Sequence, residues 1–420
     1  MYLKFHELCG KILPVKQFKA GRRAPHLGQK NMKNTEIKAL KKSVIEKITE
    51  REKKNEARLK ELEEKKMDFG GVSMKYEYSI IGQPGENGYP LYIALHGGGG
   101  SDTPDVNDQQ WGVMQMYYKD SVESGIYLAP RGVRDTCDCH SNPESFPLYE
   151  RLLSNLFLHY NIDPNRVYML GYSAGGDGTM LVTPVMADRF AAGNESAGYT
   201  AERNYTNLYN MPLQFQVGEN DYFYNRNVLF AKCVKIYENL KKRFGGGYES
   251  QFYMHLDRGH GFVDYDERRQ EYWVMRDVTQ WYENSDRTAV KVNSNAVDYI
   301  NRFTRDPLPE KVVWDLSYRQ PMMKANSFYW LNAEKTKKDG IVVARIEKET
   351  NSVIFESLGE NTKINVLLHE DMLDLESEIN VVLPHKRFKV KPEISEEVMK
   401  ATFEERFDPN FCFAGKIEIQ

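Results

Sequence analysis

The 420-residue chain has no apolar run approaching the roughly 18–20 residues that a bilayer crossing takes, which argues against a membrane span. A secretory core is missing from its first residues too, where His6, Glu7, Lys11 and Lys16 interrupt the apolar positions. Cysteine is scarce: Cys9, Cys137, Cys139, Cys233 and Cys412 are odd in number and scattered. That usage fits reduced thiols in a cytoplasmic chain and not a disulfide framework. The sequons Asn194-Glu195-Ser196 and Asn204-Tyr205-Thr206 carry no weight without a secretory signal. No internal repeat is present. At 41% hydrophobic and 28% charged residues, the composition is that of an ordinary globular protein, long enough for an α/β domain plus a smaller companion.

The net charge of −3 hides a split. Residues 1–66 hold 19 Lys/Arg against 9 Asp/Glu, whereas the remainder holds 38 against 51. An acidic body repels nucleic acid at long range, so a nucleic-acid function for the whole chain is disfavoured and only the basic arm could bind anions.

Composition divides the chain into three segments. Residues 1–67 form a basic arm, loosely ordered over 1–34. From Asn34 to about Met67 there is no Pro or Gly, and Glu and Lys predict helix. Ile37, Leu40, Val44 and Ile48 make one stripe that could dock on the body or bind a partner. Residues 68–320 alternate strands (Lys75–Ile81, Leu91–Leu95, Gly125–Leu128, Val167–Leu170, Phe190–Gly193, Leu213–Val217, Gln251–Leu256) with helices near 108–121, 147–160, 175–187, 226–243 and 265–283. Strands separated by helices imply a mostly parallel sheet covered on both faces, an α/β fold. Residues 325–420 switch to short β-type runs and one helix (394–406), which predicts a small antiparallel β-rich domain.

Gly171-Tyr172-Ser173-Ala174-Gly175 directly follows one of those strands and precedes a helix. A turn that sharp needs flanking residues without bulk, and it lifts the Ser173 hydroxyl above the sheet. His96 is followed by Gly97, Gly98, Gly99 and Gly100 after the strand ending at Leu95. A run of glycines lets backbone amides approach a developing oxyanion. A phosphate loop would end in Gly-Lys-Ser/Thr, and here Ser101-Asp102 follows. The expected oxyanion donors are Ala174 and Gly97 or Gly98.

Of the four histidines beyond Ser173, His260 lies in Arg258-Gly259-His260-Gly261-Phe262, just past the last predicted strand, where a general base belongs. His255 reads as packed within a strand, and His369 and His385 fall in the β-rich tail. The orienting acid is expected after the strand Leu213–Val217. Asp221 is the choice there, with Glu219 behind it. The order Ser173, Asp221, His260 is that of the α/β-hydrolase triad. Asp177 and Asp188 read as structural.

These elements resemble the α/β-hydrolase superfamily. More closely, Gly171–Gly178, Met186–Phe190, Tyr224–Asn227 and Pro307–Glu310 look like its poly(3-hydroxybutyrate) depolymerase and dienelactone hydrolase-like esterase branch, from about residue 75 onward. The resemblance implies the α/β-hydrolase fold and a serine esterase without metal or organic cofactor, acting on a small or oligomeric ester. A departure comes after Pro130-Arg131-Gly132. Where such relatives tend to place bulky aromatics, this loop reads Asp135-Thr136-Cys137-Asp138-Cys139-His140. With three soft ligands and no C-x2-C partner, a pocket-lining loop is a better reading than zinc. The expected substrate-binding residues are Tyr172, Cys137, His140, Tyr222 and Phe262, with Trp111 and Tyr224 nearby. A peptidase or amidase using the same triad, and a non-catalytic binding protein on this scaffold, are the alternatives. The sequence leaves the oligomeric state open.

Overall fold

The computed structural model describes residues 32–99, 104–200, 203–262, 272–284, 287–318, 320–333, 340–359 and 363–419. The loosely ordered start expected over 1–34, apart from residues 32–34, falls outside them, as do Cys9, Gly100, Ser101-Asp102 and the first half of the helix expected near 265–283.

Ten strands form the main sheet: β1 (Lys66–Phe69), β2 (Val72–Ile81), β3 (Tyr89–Leu95), β4 (Gly125–Pro130), β5 (Ile162–Tyr172), β6 (Ala192–Ser196), β7 (Leu213–Gly218), β8 (Ser250–His255), β9 (Tyr272–Met275) and β10 (Val290–Val292). Their order is β1-β2-β4-β3-β5-β6-β7-β8-β9-β10. The run from β4 to β8 is parallel, and antiparallel strands flank it at both ends. Alternation along the strands feeds two cores. Leu91, Ile93 and Leu95 of β3 join Val167 and Met169 of β5 on one face. Tyr92 and Ala94 join Tyr168 and Leu170 on the other.

The helices are α1 (Asn34–Glu52), α2 (Glu56–Glu63), α3 (Pro104–Tyr117), α4 (Ser145–His159), α5 (Ala174–Met186), α6 (Arg226–Phe244), α7 (Val278–Asn284) and α8 (Ala296–Ile300). α3 and α8 supply Met114, Val297 and Ile300 to the second core, while α4, α5 and α6 supply Leu152, Met180 and Phe230 to the first. Both faces of the sheet are therefore covered.

The arm's single expected helix is two helices. Asn55 caps α2, its side chain accepting from the Ala57 and Arg58 amides, and the chain turns there before β1. Ile37, Val44 and Ile48 are buried, as the stripe predicted, while Leu59 stays exposed. Where helix was expected near 265–283, Tyr272–Met275 is strand β9, paired with His255 and Met254 of β8.

The remaining elements are β11 (Lys311–Asp315), β12 (Ser327–Phe328), β13 (Leu331–Ala333), β14 (Ile341–Glu347), β15 (Ser352–Ser357), β16 (Ile364–Leu368), β17 (Ile379–Val382), β18 (Arg387–Val390), α9 (Glu396–Arg406) and β19 (Gly415–Ile419). They make a sheet β11-β14-β15-β17-β18 and a sheet β12-β13-β16-β19. The pattern is antiparallel except for β15 and β17, which run parallel. β11 lies before the expected start of the tail, yet pairs with β14.

Buried ion pairs stitch these parts together. Asp188, at the end of α5, receives Arg189 at 2.8 Å, Arg406 of α9 at 2.6 Å and the Tyr329 amide at 2.9 Å. Arg305 reaches Asp408 at 2.6 Å. On the other side, Lys41 of α1 sits 3.0 Å from Glu370 and 2.7 Å from His369 Nε2, all three side chains less than 10% exposed. Among the described residues, no helix is long and apolar enough to cross a membrane.

Candidate active site

Ser173 sits between β5 and α5 with φ 57° and ψ −119°, a strained conformation for a residue with a Cβ. Its neighbours allow it. A Cβ on Gly171 would lie 1.9 Å from the Gly175 carbonyl oxygen, and one on Gly175 would lie 2.0 Å from that of Leu95. Only glycine lets strand, turn and helix approach so closely. The Ser173 amide donates to the Ser196 carbonyl at 2.8 Å. Ala174 opens α5, so its N–H has no carbonyl four residues back and points out of the helix start.

His260 and Asp221 arrive from the ends of β8 and β7. His260 Nε2 stands 3.0 Å from Ser173 Oγ, and His260 Nδ1 stands 2.7 Å from Asp221 Oδ2. Asp221 is fully buried; a proton on His260 Nδ1 would be donated to its carboxylate, with Nε2 placed to accept from the serine hydroxyl. The structure thus brings Ser173, His260 and Asp221 into one hydrogen-bonded line. Glu219 points elsewhere, to Arg287 at 2.8 Å and the Asp257 amide at 3.0 Å. His255 is packed, as expected: it bonds to Gln216 Oε1 at 2.7 Å, and burial pulls its pKa down to about 3.

The glycine loop lies beside this turn, the elbow between β5 and α5. A Cβ on Gly97 would be 3.4 Å from that of Ser173, and Gly98 and Gly99 have φ +97° and +76°. Two side chains fix the loop. Asn107 of α3 accepts from the Gly99 amide at 2.6 Å. His96 Nε2 accepts from the Gly132 amide at 2.9 Å, so its Nδ1 is protonated and donates to the Gly97 carbonyl at 2.6 Å. Burial lowers the His96 pKa to about 4 and keeps the ring neutral. Asn107 lies in a polar helix whose sequence gives no sign of this contact.

The residues expected to touch substrate separate. The Tyr172 hydroxyl donates to the His260 carbonyl at 2.8 Å and accepts from the Phe262 amide at 3.1 Å, anchoring the loop that carries His260. Phe262 is buried and stacks on His255 with centroids 4.4 Å apart. His140 is buried against Gly178 and donates from Nε2 to the His96 carbonyl at 2.9 Å. Its ring therefore braces the glycine loop from behind and does not form an open wall. Cys137 is exposed, and its backbone packs over Gly99. Cys139 is buried against Gly132, where desolvation raises its pKa to about 12. Tyr222, Phe223 and Tyr224 are two-thirds to three-quarters exposed in the turn after Asp221. Trp111 donates to the Ala129 carbonyl at 2.9 Å. Asp177, one turn after Ser173, accepts from the Tyr199 amide and is structural in that sense; burial pushes its carboxyl up. Among the described residues, the one group of three or more His, Cys or carboxylate residues with ligand atoms within 4.8 Å of each other is His369, Glu370 and Asp371, far along the chain from Cys137 and Cys139.

No protein-family profile matches the chain, and no curated protein matches it. Among solved structures it is similar to a thermostable esterase at 20% identity and TM-score 0.37, over 57% of this chain and 62% of that one. It is similar to S-formylglutathione hydrolase from Agrobacterium tumefaciens at 14% and 0.32, over 47% and 91%. A third is the acylaminoacyl peptidase of Pyrococcus horikoshii, at 14% and 0.34, over 47% and 37%. The sheet order, its parallel centre and the glycine-flanked turn after β5 are those of the α/β-hydrolase fold, the fold of this chain.

Proposed function

We propose that the chain is a serine hydrolase of carboxylic esters, with Ser173 as nucleophile, His260 as general base and Asp221 as the acid that orients it. The observation that carries this reading is the line from Asp221 Oδ2 through His260 to Ser173 Oγ at 2.7 and 3.0 Å, ending at a strained turn. As Ser173 Oγ bonds to the ester carbon, its proton passes to His260 Nε2 and the carbonyl electron pair moves onto oxygen. The Ala174 amide, with that of Gly97 or Gly98, receives this oxyanion. Collapse breaks the bond to the alcohol oxygen, which takes the proton from His260. Water then attacks the acyl-enzyme, its proton passing to His260 and on to Ser173 as the acid leaves. Among the described residues Cys137, Cys139, Cys233 and Cys412 are free thiols, which supports a reducing, cytoplasmic setting.

A fluorophosphonate probe is expected to label the wild type and not Ser173→Ala. The same substitution should cut p-nitrophenyl acetate turnover by about 10⁴-fold or more. Unlabelled wild type, with unchanged turnover in Ser173→Ala, rejects the reading. The same relay can attack an amide, so p-nitroanilide turnover matching ester turnover would make the enzyme an amidase.

A further inference from the structure

Asp221 makes its bond to His260 through Oδ2. Its other oxygen, Oδ1, is buried and has no hydrogen-bond donor among the described residues. The cation beside it is Arg226, whose Nη1 lies 3.8 Å away. Arg226 is 8% exposed, and its Nε is buried without an acceptor. Among the described residues its other contacts are the Phe223 carbonyl at 3.4 Å and the Tyr224 ring at 5.0 Å, and its charge also acts on the buried Asp177 carboxyl. Its hydrogen bonds alone do not explain a cation buried at this place.

The backbone is strained to bring it there. Tyr224 and Asn225 are consecutive left-handed residues, at φ 58° and 56°. They reverse the chain so that α6 begins beside the carboxylate it follows by only five positions. Asn227 then closes the turn, its amide donating to the Asp221 carbonyl at 3.3 Å and its side chain to the Glu219 carbonyl at 2.8 Å. The buried Arg226 guanidinium thus stands beside the buried Asp221 carboxylate and also acts on the buried Asp177 carboxyl.

We propose that Arg226 is a positioning residue for the relay, its guanidinium holding Asp221 ionised and aimed at His260 and setting how readily the imidazole takes a proton. This rests on the serine-hydrolase reading above. Among the described residues, charged and titratable groups near the pair include Asp177 on α5 and Arg203 after β6, and His255, Asp257 and Arg258 at the end of β8, which bond with Glu219 and Asn220. Glu219 and Tyr222 flank Asp221, and the Tyr172 hydroxyl holds the His260 carbonyl. Glu219 and Asp257 are both engaged by Arg287, at 2.8 and 3.1 Å. His255 is held neutral by burial. Asp177 acts on His260 with the sign opposite to Arg226.

The test uses p-nitrophenyl acetate and the full chain. Arg226→Gln should lower kcat about tenfold with KM within about twofold. Losing a nearby cation favours imidazolium, so the acid limb of kcat/KM should move to higher pH by about half a unit. Arg226→Lys should restore most of kcat. In an Asp221→Asn background, adding Arg226→Gln should change kcat by less than about twofold, because the carboxylate it acts on is gone. An equal loss in both backgrounds, or an unmoved acid limb, overturns the proposal. If Arg226→Gln folds poorly, Arg226→Met in the two backgrounds decides: its loss of kcat must require Asp221. Should Asp221→Asn leave the rate unchanged, the triad reading itself fails. If Asp221→Asn cripples the enzyme and Arg226→Gln does not, the role of Arg226 alone is rejected.

Discussion

Gly175 faces Leu95 so closely that a Cβ on the glycine would stand 2.0 Å from the leucine's carbonyl oxygen. The start of α5 is thereby pressed onto the end of β3, with the glycine loop on one side and Ser173 on the other. Gly175→Ala must push strand and helix apart, at a cost of roughly 3 kcal/mol or more. Gly112, inside α3, has nothing within 4 Å of a built Cβ. Gly112→Ala should therefore stabilise the protein by about 0.5–1 kcal/mol through helix propensity. Chemical denaturation of both variants checks the contrast. Equal stability of the two would mean that the elbow tolerates bulk.

Buried histidines make the fold sensitive to mild acid. Burial lowers the pKa values of His96 and His369 to about 4 and that of His255 to about 3, and His140 moves in the same direction. In the unfolded chain these groups titrate near about 6.5. The unfolded state thus binds protons first, so the stability they contribute is complete above about pH 6.5. It is lost as pH falls toward 4, by up to about 3 kcal/mol per group. Asp177 and Glu150, whose carboxyls burial pushes up, act in the opposite sense. Denaturation midpoints at pH 7, 6 and 5 should fall steeply, and a flat series would contradict the neutral, buried state of these rings.

The contact of α1 with the tail depends on a buried cation. Lys41→Met leaves Glu370 buried beside His369 with its cation removed, and should cost about 3–5 kcal/mol. The double variant Lys41→Met/Glu370→Gln should recover part of that loss, because no unpaired charge remains. Urea denaturation of the full chain measures both. A loss below about 1 kcal/mol for the single variant would show that the helix is held by Ile37, Val44 and Ile48 alone.

The parts of this molecule that could be read from sequence are those fixed by local chemistry. Gly171 and Gly175 are required by the turn itself, and Asp221 and His260 follow the ends of strongly apolar strands, so the line they form with Ser173 was anticipated. What was missed depends on non-local pairing. Lys66–Phe69 continues a run of Glu and Lys without Gly or Pro, and becomes a strand only because β2 folds back on it. β9 needs the edge of β8, and β11 needs β14. Arg226 shows no pattern that reports on Asp221: its placement depends on two left-handed residues that sequence spacing does not reveal. His140 was expected at an open wall, but faces inward because its Nε2 finds the His96 carbonyl.

Asp188 has a consequence in time as well as in space. Its carboxylate is completed by Arg189, by the Tyr329 amide and by Arg406, three partners supplied at widely separated moments of synthesis. Until residue 406 emerges, a nascent chain that has already made the turn at Ser173 has only Arg189 of the two cations that meet Asp188. The charge cluster at the end of α5 is therefore completed only once α9 has been made.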